Sequence, residues 1–284
     1  VEELQGRVAV VTGAASGIGR AMADAFAAEG MRLVLADIES GPLEVAAQEL
    51  RDGGADVFAV TADVSRAEDV ERIAEAAVDV FGGLHLACNN AGVATGGLTW
   101  EVDLDTWRWV LGVNLFGVVH GLHAFTPRII ASGGGHIVNT ASMAGLTSNP
   151  GMAPYNASKH AVVTISETMA TELAMTHPEV GISVLCPGWV RTRINRSERN
   201  RRGGEAAADT AAEPGDGGLA GMRDLIDQLI AEGLQPADVA ALVVDAVKQR
   251  RFYVLTHPEW QGMVRDRVER MLSGQDPRIA LPGG

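Results

Sequence analysis

Cysteine is nearly absent: the 284 residues include two, Cys88 and Cys186. A disulfide framework cannot be built on that count, and a reducing compartment is the expected setting. Positive charge is also scarce. Lys and Arg total 23 against 36 Asp and Glu, a formal net charge of -13. Binding a nucleic-acid backbone needs concentrated Lys and Arg, so that class of partner is set aside. No uninterrupted apolar run approaches the roughly 18 residues that a membrane span needs. The first residues, Val1-Glu2-Glu3-Leu4-Gln5-Gly6-Arg7, lack the basic stretch and apolar core of a secretory signal. These absences lead to the expectation of a cytoplasmic protein with neither membrane nor nucleic-acid partners. His120-x-x-His123 is the one pattern that resembles a metal pair. It has no third ligand at useful spacing, so no metal is expected.

Hydrophobic residues make up 46% of the chain and charged residues 21%, enough for a sizeable core. Short apolar runs at 8–11, 33–36, 57–60, 84–88, 136–139, 182–185 and 252–255 read as strands. Helical patterns lie between them at 20–29, 43–50, 67–81, 104–130, 155–175 and 237–247, several stopped by glycine, as at Gly30, Gly53-Gly54 and Gly82-Gly83. Alternation of this kind predicts right-handed βαβ units and a parallel sheet. The strands are almost continuously apolar, as expected where helices cover both faces. The expected fold class is therefore α/β: a doubly wound, seven-stranded parallel sheet with helices on both faces, in a single domain over 1–284. One stretch breaks the rhythm. Residues 195–218 are polar, Gly-rich and aperiodic, and are expected to form a flexible part of a substrate lid over 195–235. A short amphipathic helix is expected over 219–230. A tail over 257–284 opens with a helix expected at 260–272.

The first strand runs straight into Thr12-Gly13-Ala14-Ala15-Ser16-Gly17-Ile18-Gly19 and then a helix. A dinucleotide pyrophosphate needs a tight turn, close backbone approach and free amides at a helix N-terminus. Gly13 can make the turn, Gly17 permit the approach and Gly19 let the helix sit close to the sheet. Alone, the trio is equally an ordinary strand-to-helix turn. Asp37 changes the balance. It closes the second strand, 20 residues after Gly17, where a carboxylate can accept hydrogen bonds from adenosine ribose hydroxyls and repel a 2′-phosphate. Ile38 and Glu39 follow it instead of Arg or Lys, which favours NAD over NADP.

Tyr155 and Lys159 stand four apart in a helical stretch and so share a face. That face continues through Val162, Ile165, Met169 and Leu173, the expected buried stripe. Ser142 closes the fifth strand, at the sheet edge where open α/β folds hold ligands. Taken with Asn89-Asn90-Ala91-Gly92, Asn114, Tyr155-Asn156-Ala157-Ser158-Lys159 and Pro187-Gly188, the chain resembles the classical short-chain dehydrogenases/reductases. The resemblance covers about 5 to 194 and resumes at the last helix and strand.

That resemblance implies a Rossmann-type fold and a hydride transfer between NAD(H) and a secondary alcohol/ketone pair. It implies Tyr155 as general base or acid, Lys159 as the cation that favours its phenolate, and Ser142 as the group orienting the substrate oxygen. It implies Asn114 as anchor of a water leading from Lys159 to solvent. Gly13, Ser16, Gly17, Ile18, Gly19 and Asp37 would hold the cofactor together with Tyr155 and Lys159. Asp63 and Val64 would flank the adenine, Asn90 would lie near its ribose, and Pro187, Gly188, Val190 and Thr192 would border the nicotinamide. A homotetramer acting on a small-molecule substrate is implied in the same way.

The substrate itself is less legible. Trp189, Met143, Met152 and the apolar face of 225–230 suggest a partly hydrophobic pocket. Arg191, Arg193, Arg196, Arg199, Arg201 and Arg202 cluster in an otherwise acidic protein. They read first as a solvated loop, and second as an attractor for an anionic substrate such as a 3-oxoacyl or 3-hydroxyacyl thioester. A catalytically silent dinucleotide sensor is the reading from another class, and an intact Ser/Tyr/Lys set weighs against it. A sugar-nucleotide epimerase or dehydratase would call for a different glycine spacing and a larger C-terminal region. In the strand order that the resemblance implies, Cys88 and Cys186 end strands on either side of the fifth, about 10 Å apart at ~4.8 Å per strand, and they are expected as core thiols.

Overall fold

The computed structural model describes residues 3–201 and 220–279. Seven strands form one parallel sheet: β1 (Val8–Thr12), β2 (Arg32–Asp37), β3 (Val57–Thr61), β4 (Leu86–Asn89), β5 (Gly135–Thr140), β6 (Val180–Cys186) and β7 (Tyr253–Leu255). Their order is β3-β2-β1-β4-β5-β6-β7. The chain winds one way from β1 to β3 and the other way from β4 onward. The two windings part between β1 and β4, opening a crevice at the carboxyl ends of the strands, where such sheets bind ligands.

The strands are apolar on both faces because both faces are covered. Ala9 and Val11 of β1 join Leu33 and Leu35 of β2 in a core shared with α1 (Gly17–Ala28), α2 (Ser40–Asp52) and α8 (Pro236–Gln249). The intervening Val8, Val10, Val34 and Ala36 point the opposite way, into a core with α3 (Ala67–Phe81), α5 (Gly117–Ala131) and α6 (Ala153–Thr176). The period-two alternation of side chains thus divides one strand between two cores. Cys88 and Cys186 are buried free thiols, and burial pushes both up from their ordinary values.

The helix expected over 104–130 is interrupted. It comprises α4 (Leu104–Leu111), a five-residue π-helical turn (Gly112–Phe116) and α5. The apolar pattern runs through this turn unbroken, so periodicity gave no warning of it. By length and composition the stretch Leu104–Ala131 could cross a membrane. In the fold, α5 supplies Ala124, Phe125 and Ile129 to the core that it shares with α3 and the sheet. α6 starts at Ala153, two residues earlier than expected, with Pro154 in its first turn, where a missing N–H costs nothing. Its buried seam passes through Lys159, Val162, Val163, Ser166 and Leu173. Ile165 and Met169, expected on that seam, are only half-buried.

After β6 the chain forms a 3-10 turn (Ile194–Asn200) and, beyond the undescribed residues, α7 (Ala220–Glu232). Most of the flexible segment expected over 195–218 lies outside the described residues, as do Arg202 and the start of the helix expected at 219. The part that is described, 195–201, is an ordered turn. After β7 come a 3-10 turn (Pro258–Trp260) and α9 (Gln261–Leu272).

Candidate active site

The glycine turn closes β1 in the way its sequence requires. Gly13 has φ +68°, and a Cβ there would lie 2.9 Å from the Ala91 Cα. At Gly19 a Cβ would fall 2.1 Å from the Gly13 carbonyl oxygen. Gly19 therefore lets α1 close on the turn and does not line the groove. Thr12 Oγ1 accepts hydrogen bonds from the backbone N–H groups of Asn90 (2.9 Å) and Ala91 (3.1 Å). The Asn90 carboxamide donates to the Thr12 carbonyl at 3.0 Å and accepts from Thr140 Oγ1 at 3.2 Å. Asn90 thus fastens together the ends of β1, β4 and β5.

Asp37 ends β2 facing the turn. Its carboxylate accepts from Ala15 N at 3.0 Å and from Glu39 N at 3.0 Å. Burial pushes its carboxyl up from the ordinary value, against the pull of those two bonds. Asp63 accepts from Ser65 N and Ser65 Oγ. His120 bonds the Val64 carbonyl at 2.9 Å through Nδ1, and His123 is exposed.

Ser142 follows β5 in extended conformation and caps a 3-10 turn (Met143–Gly145). Its Oγ accepts from Ala144 N at 3.1 Å and donates to the Pro187 carbonyl at 3.3 Å. Ser142 beside the Tyr155 phenol lowers its pKa, but burial dominates and pushes it up. Lys159 is buried, with Nζ donating to the Thr140 carbonyl at 2.8 Å and lying 5.7 Å from the Tyr155 ring centroid. Burial lowers its ammonium to about 8. Burial disfavours the charged form of both groups and moves them in opposite directions, the phenol up and the ammonium down.

Asn114 sits in the π-helical turn and is fully buried. Its Oδ1 accepts from Val93 N at 2.8 Å, and its Nδ2 donates to the Val93 carbonyl at 2.9 Å and to Ser158 Oγ at 3.2 Å. The side chain is fully engaged within the protein and does not line the groove.

One cavity of about 540 Å³ gathers the rest. Gly13, Ser16, Gly17, Ile18, Asp37, Asp63, Val64 and Asn90 line one end of it. Ser142, Tyr155, Lys159, Pro187, Gly188 and Val190 line it as well, and Thr192 lies against Gly17, its Cγ2 3.1 Å from the place a Cβ there would take. Of the expected pocket residues, Met143, Met152, Trp189, Ile226 and Ile230 also face it. Leu225, expected beside them, is 50% exposed, so the apolar face of α7 is narrower than the sequence suggested.

Two arginines of the basic cluster are not free in solvent. Arg199 pairs bidentately with Glu39, Nε to Oε1 at 3.1 Å and Nη2 to Oε2 at 2.9 Å. That hydrogen-bonded pairing holds the Glu39 carboxyl below its ordinary value. Arg201 donates to Thr106 Oγ1 at 3.0 Å, approaches Asp103 at 3.6 Å and lies over the Trp109 ring. Ser197, buried in the same turn, accepts from Ala94 N at 3.2 Å. The turn after β6 therefore straps across the groove. Glu39 and Arg199 stand 160 residues apart, and no local signal in the sequence pairs them.

A doubly wound sheet with a glycine turn at its crevice, and a serine, tyrosine and lysine converging at one end of the same groove, defines an oxidoreductase of the dinucleotide-dependent kind. Residues 7–203 match the family model described as short chain dehydrogenase, and the chain belongs to that family. It is 33% identical to a CLA biosynthesis dehydrogenase/reductase of Lactiplantibacillus plantarum, over all of this chain and 99% of that one. It is 38% identical to a 1-deoxy-11-beta-hydroxypentalenate dehydrogenase of Streptomyces exfoliatus, over 94% of this chain and 88% of that one. Among solved structures, a short chain dehydrogenase/reductase from Burkholderia phymatum in complex with NAD superposes with TM-score 0.93 at 44% identity, covering 99% of each chain.

Proposed function

We propose that the chain interconverts a secondary alcohol and a ketone, with NAD(H) as the preferred hydride carrier and a substrate of partly hydrophobic surface. The observation that carries this reading is the convergence of Ser142, Tyr155 and Lys159 in the cavity that also holds the glycine turn and Asp37. When bound, NAD⁺ supplies the hydride acceptor and a positive charge beside the phenol. The chain's own groups handle the proton and the geometry. The carbinol carbon gives up its hydrogen with both electrons, and its O–H proton goes to the Tyr155 oxygen as the carbonyl forms. In the opposite direction Tyr155 returns that proton to the substrate oxygen. Ser142, beside Tyr155, orients the substrate oxygen between the two hydroxyls. Lys159, held by Thr140, stabilises the phenolate and would hold the nicotinamide ribose. Asn114 acts as a positioning residue. By binding both polar groups of Val93 it fixes the strand end at Gly92, where Lys159 Nζ lies 3.6 Å from the place a Cβ would take.

Support for NAD over NADP comes from two acids at one end of the groove. Asp37 is aimed at the turn, and Glu39 occupies the Arg199 guanidinium that could otherwise bind a phosphate. The pairing of Arg199 and Arg201 with acids weakens the case for an anionic thioester. Exposed Leu104, Phe116 and Met175 on α4, the π-helical turn and α6 offer apolar surface to the homotetramer that we propose.

The direct test is Tyr155→Phe. Turnover of secondary alcohols should fall by roughly 10²–10⁴-fold, with NAD⁺ affinity by calorimetry unchanged. Full activity in that variant would refute the assignment.

A further inference from the structure

The chain beyond β7 does not simply trail away. Thr256 is buried, and its Oγ1 accepts from Gly188 N at 3.1 Å while sharing a 2.7 Å hydrogen bond with His257 Nδ1. The His257 ring stacks at 4.5 Å on that of Trp260, which meets Trp189 edge-on at 6.4 Å. These rings sit directly on Gly188. A Cβ there would lie 2.6 Å from His257 Nδ1 and 2.8 Å from Trp260 Cζ3. The post-β7 segment is therefore clamped onto the loop that borders the reacting end of the groove. The clamp uses a backbone hydrogen bond, an aromatic stack and a position that accepts no side chain.

The consequence is a wall. Trp260 is 8% exposed, and it faces the cavity along with Met263 from the first turn of α9. Met143, Met152, Trp189 and Ile230 complete the same surface. Every one of these side chains is aromatic, thioether or aliphatic. Met is adaptable and polarisable, and Trp offers a broad flat face, so such a surface suits a rigid apolar ring. A short acyclic alcohol has little apolar surface to bury against such a wall.

Building on the proposed dehydrogenase activity, we propose that Trp260, seconded by Met263, is the specificity-determining residue of the substrate site, and that it selects secondary alcohols carried on an apolar ring. Burial of the ring against the indole contributes to binding, and the chemistry at Tyr155 is left as it is. The contacts of Trp260 are Gly188, Trp189 and His257.

The experiment compares cyclohexanol with isopropanol as substrates for the full chain and for Trp260→Ala, Trp260→Phe and Met263→Ala. NAD⁺ affinity and thermal midpoint are measured alongside. In Trp260→Ala, kcat/KM for cyclohexanol should fall by about tenfold or more relative to isopropanol. The loss should lie mainly in KM, with NAD⁺ affinity preserved, and Trp260→Phe should recover part of it. An unchanged ratio between the two alcohols in a folded Trp260→Ala would overturn the proposal. Should that variant not fold, Met263→Ala, altering a half-buried side chain, must move the ratio in the same direction, and an unmoved ratio there overturns the proposal equally. Absence of turnover by the unmodified chain with both alcohols, NAD⁺ bound, would instead overturn the dehydrogenase reading and this proposal with it.

Discussion

At the scale of single residues, the site is governed by burial. The Lys159 ammonium, lowered to about 8, is present below that pH and lost above it, while burial holds the Tyr155 phenol protonated to higher pH than usual. Ketone reduction needs the phenol proton and the cation together, so its kcat/KM should decline as pH rises through the Lys159 value. Alcohol oxidation releases a proton and should rise over the lower part of the same range. Profiles measured in both directions check the opposed slopes, and parallel profiles would contradict them. Glu39 supplies a second residue-scale prediction. Glu39→Gln leaves Arg199 without its charged partner at one end of the groove. A charge-assisted bond to a 2′-phosphate then becomes available, worth about 1.5–3 kcal/mol. The kcat/KM ratio of NADP⁺ to NAD⁺ should rise by about tenfold or more. An unaltered ratio would place cofactor choice with Asp37 alone.

At the scale of elements, the π-helical turn between α4 and α5 is the feature that depends on a single buried carboxamide. Asn114→Ala would strip Val93 of its partners for both N–H and C=O, at about 1–3 kcal/mol for each orphaned group. Denaturant unfolding should register that loss. The same turn explains what could be read in advance and what could not. The strands and their covering helices were legible because near-continuous apolar runs have few other homes. The Tyr155–Lys159 face was legible because four residues is one helical turn. The break at 112–116 was not, because apolar periodicity passes through it and the partner of its Asn114 is Val93, 21 positions away. The Glu39–Arg199 strap and the packing of Trp260 on Gly188 were hidden for the same reason. Each pairs residues that are distant in sequence and unremarkable where they stand. Gly19 shows the converse: its spacing was recognised, and its closeness to Gly13 shows that it serves packing beneath the turn and not the groove surface.

At the scale of the whole molecule, stability and catalysis draw on different ends of the sheet. His136 is fully buried in β5, bonded to Ser183 Oγ at 2.8 Å, and burial lowers it to about 3 from 6.5. Its folded-state value lies below the unfolded one, so protonation favours the unfolded chain. The stability it confers is intact above the ordinary histidine range and drains away as pH falls toward 3. His136→Gln should flatten the dependence of unfolding free energy on pH across that window, as denaturant titrations would record. At the carboxyl ends of the same strands, the glycine turn, Asp37, Ser142, Tyr155 and Lys159 share one cavity. The claim on which the account turns is that this cavity passes a hydride directly between a carbinol carbon and a bound nicotinamide while Tyr155 handles the proton. The measurement is isotopic: a secondary alcohol deuterated at its carbinol carbon is incubated with NAD⁺ and either the unmodified chain or Tyr155→Phe, and the NADH formed is analysed for label. Deuterium on the nicotinamide ring with the unmodified chain, and no appreciable NADH with the variant, is the predicted result. Unlabelled NADH, or equal formation of labelled NADH by both proteins, would contradict it.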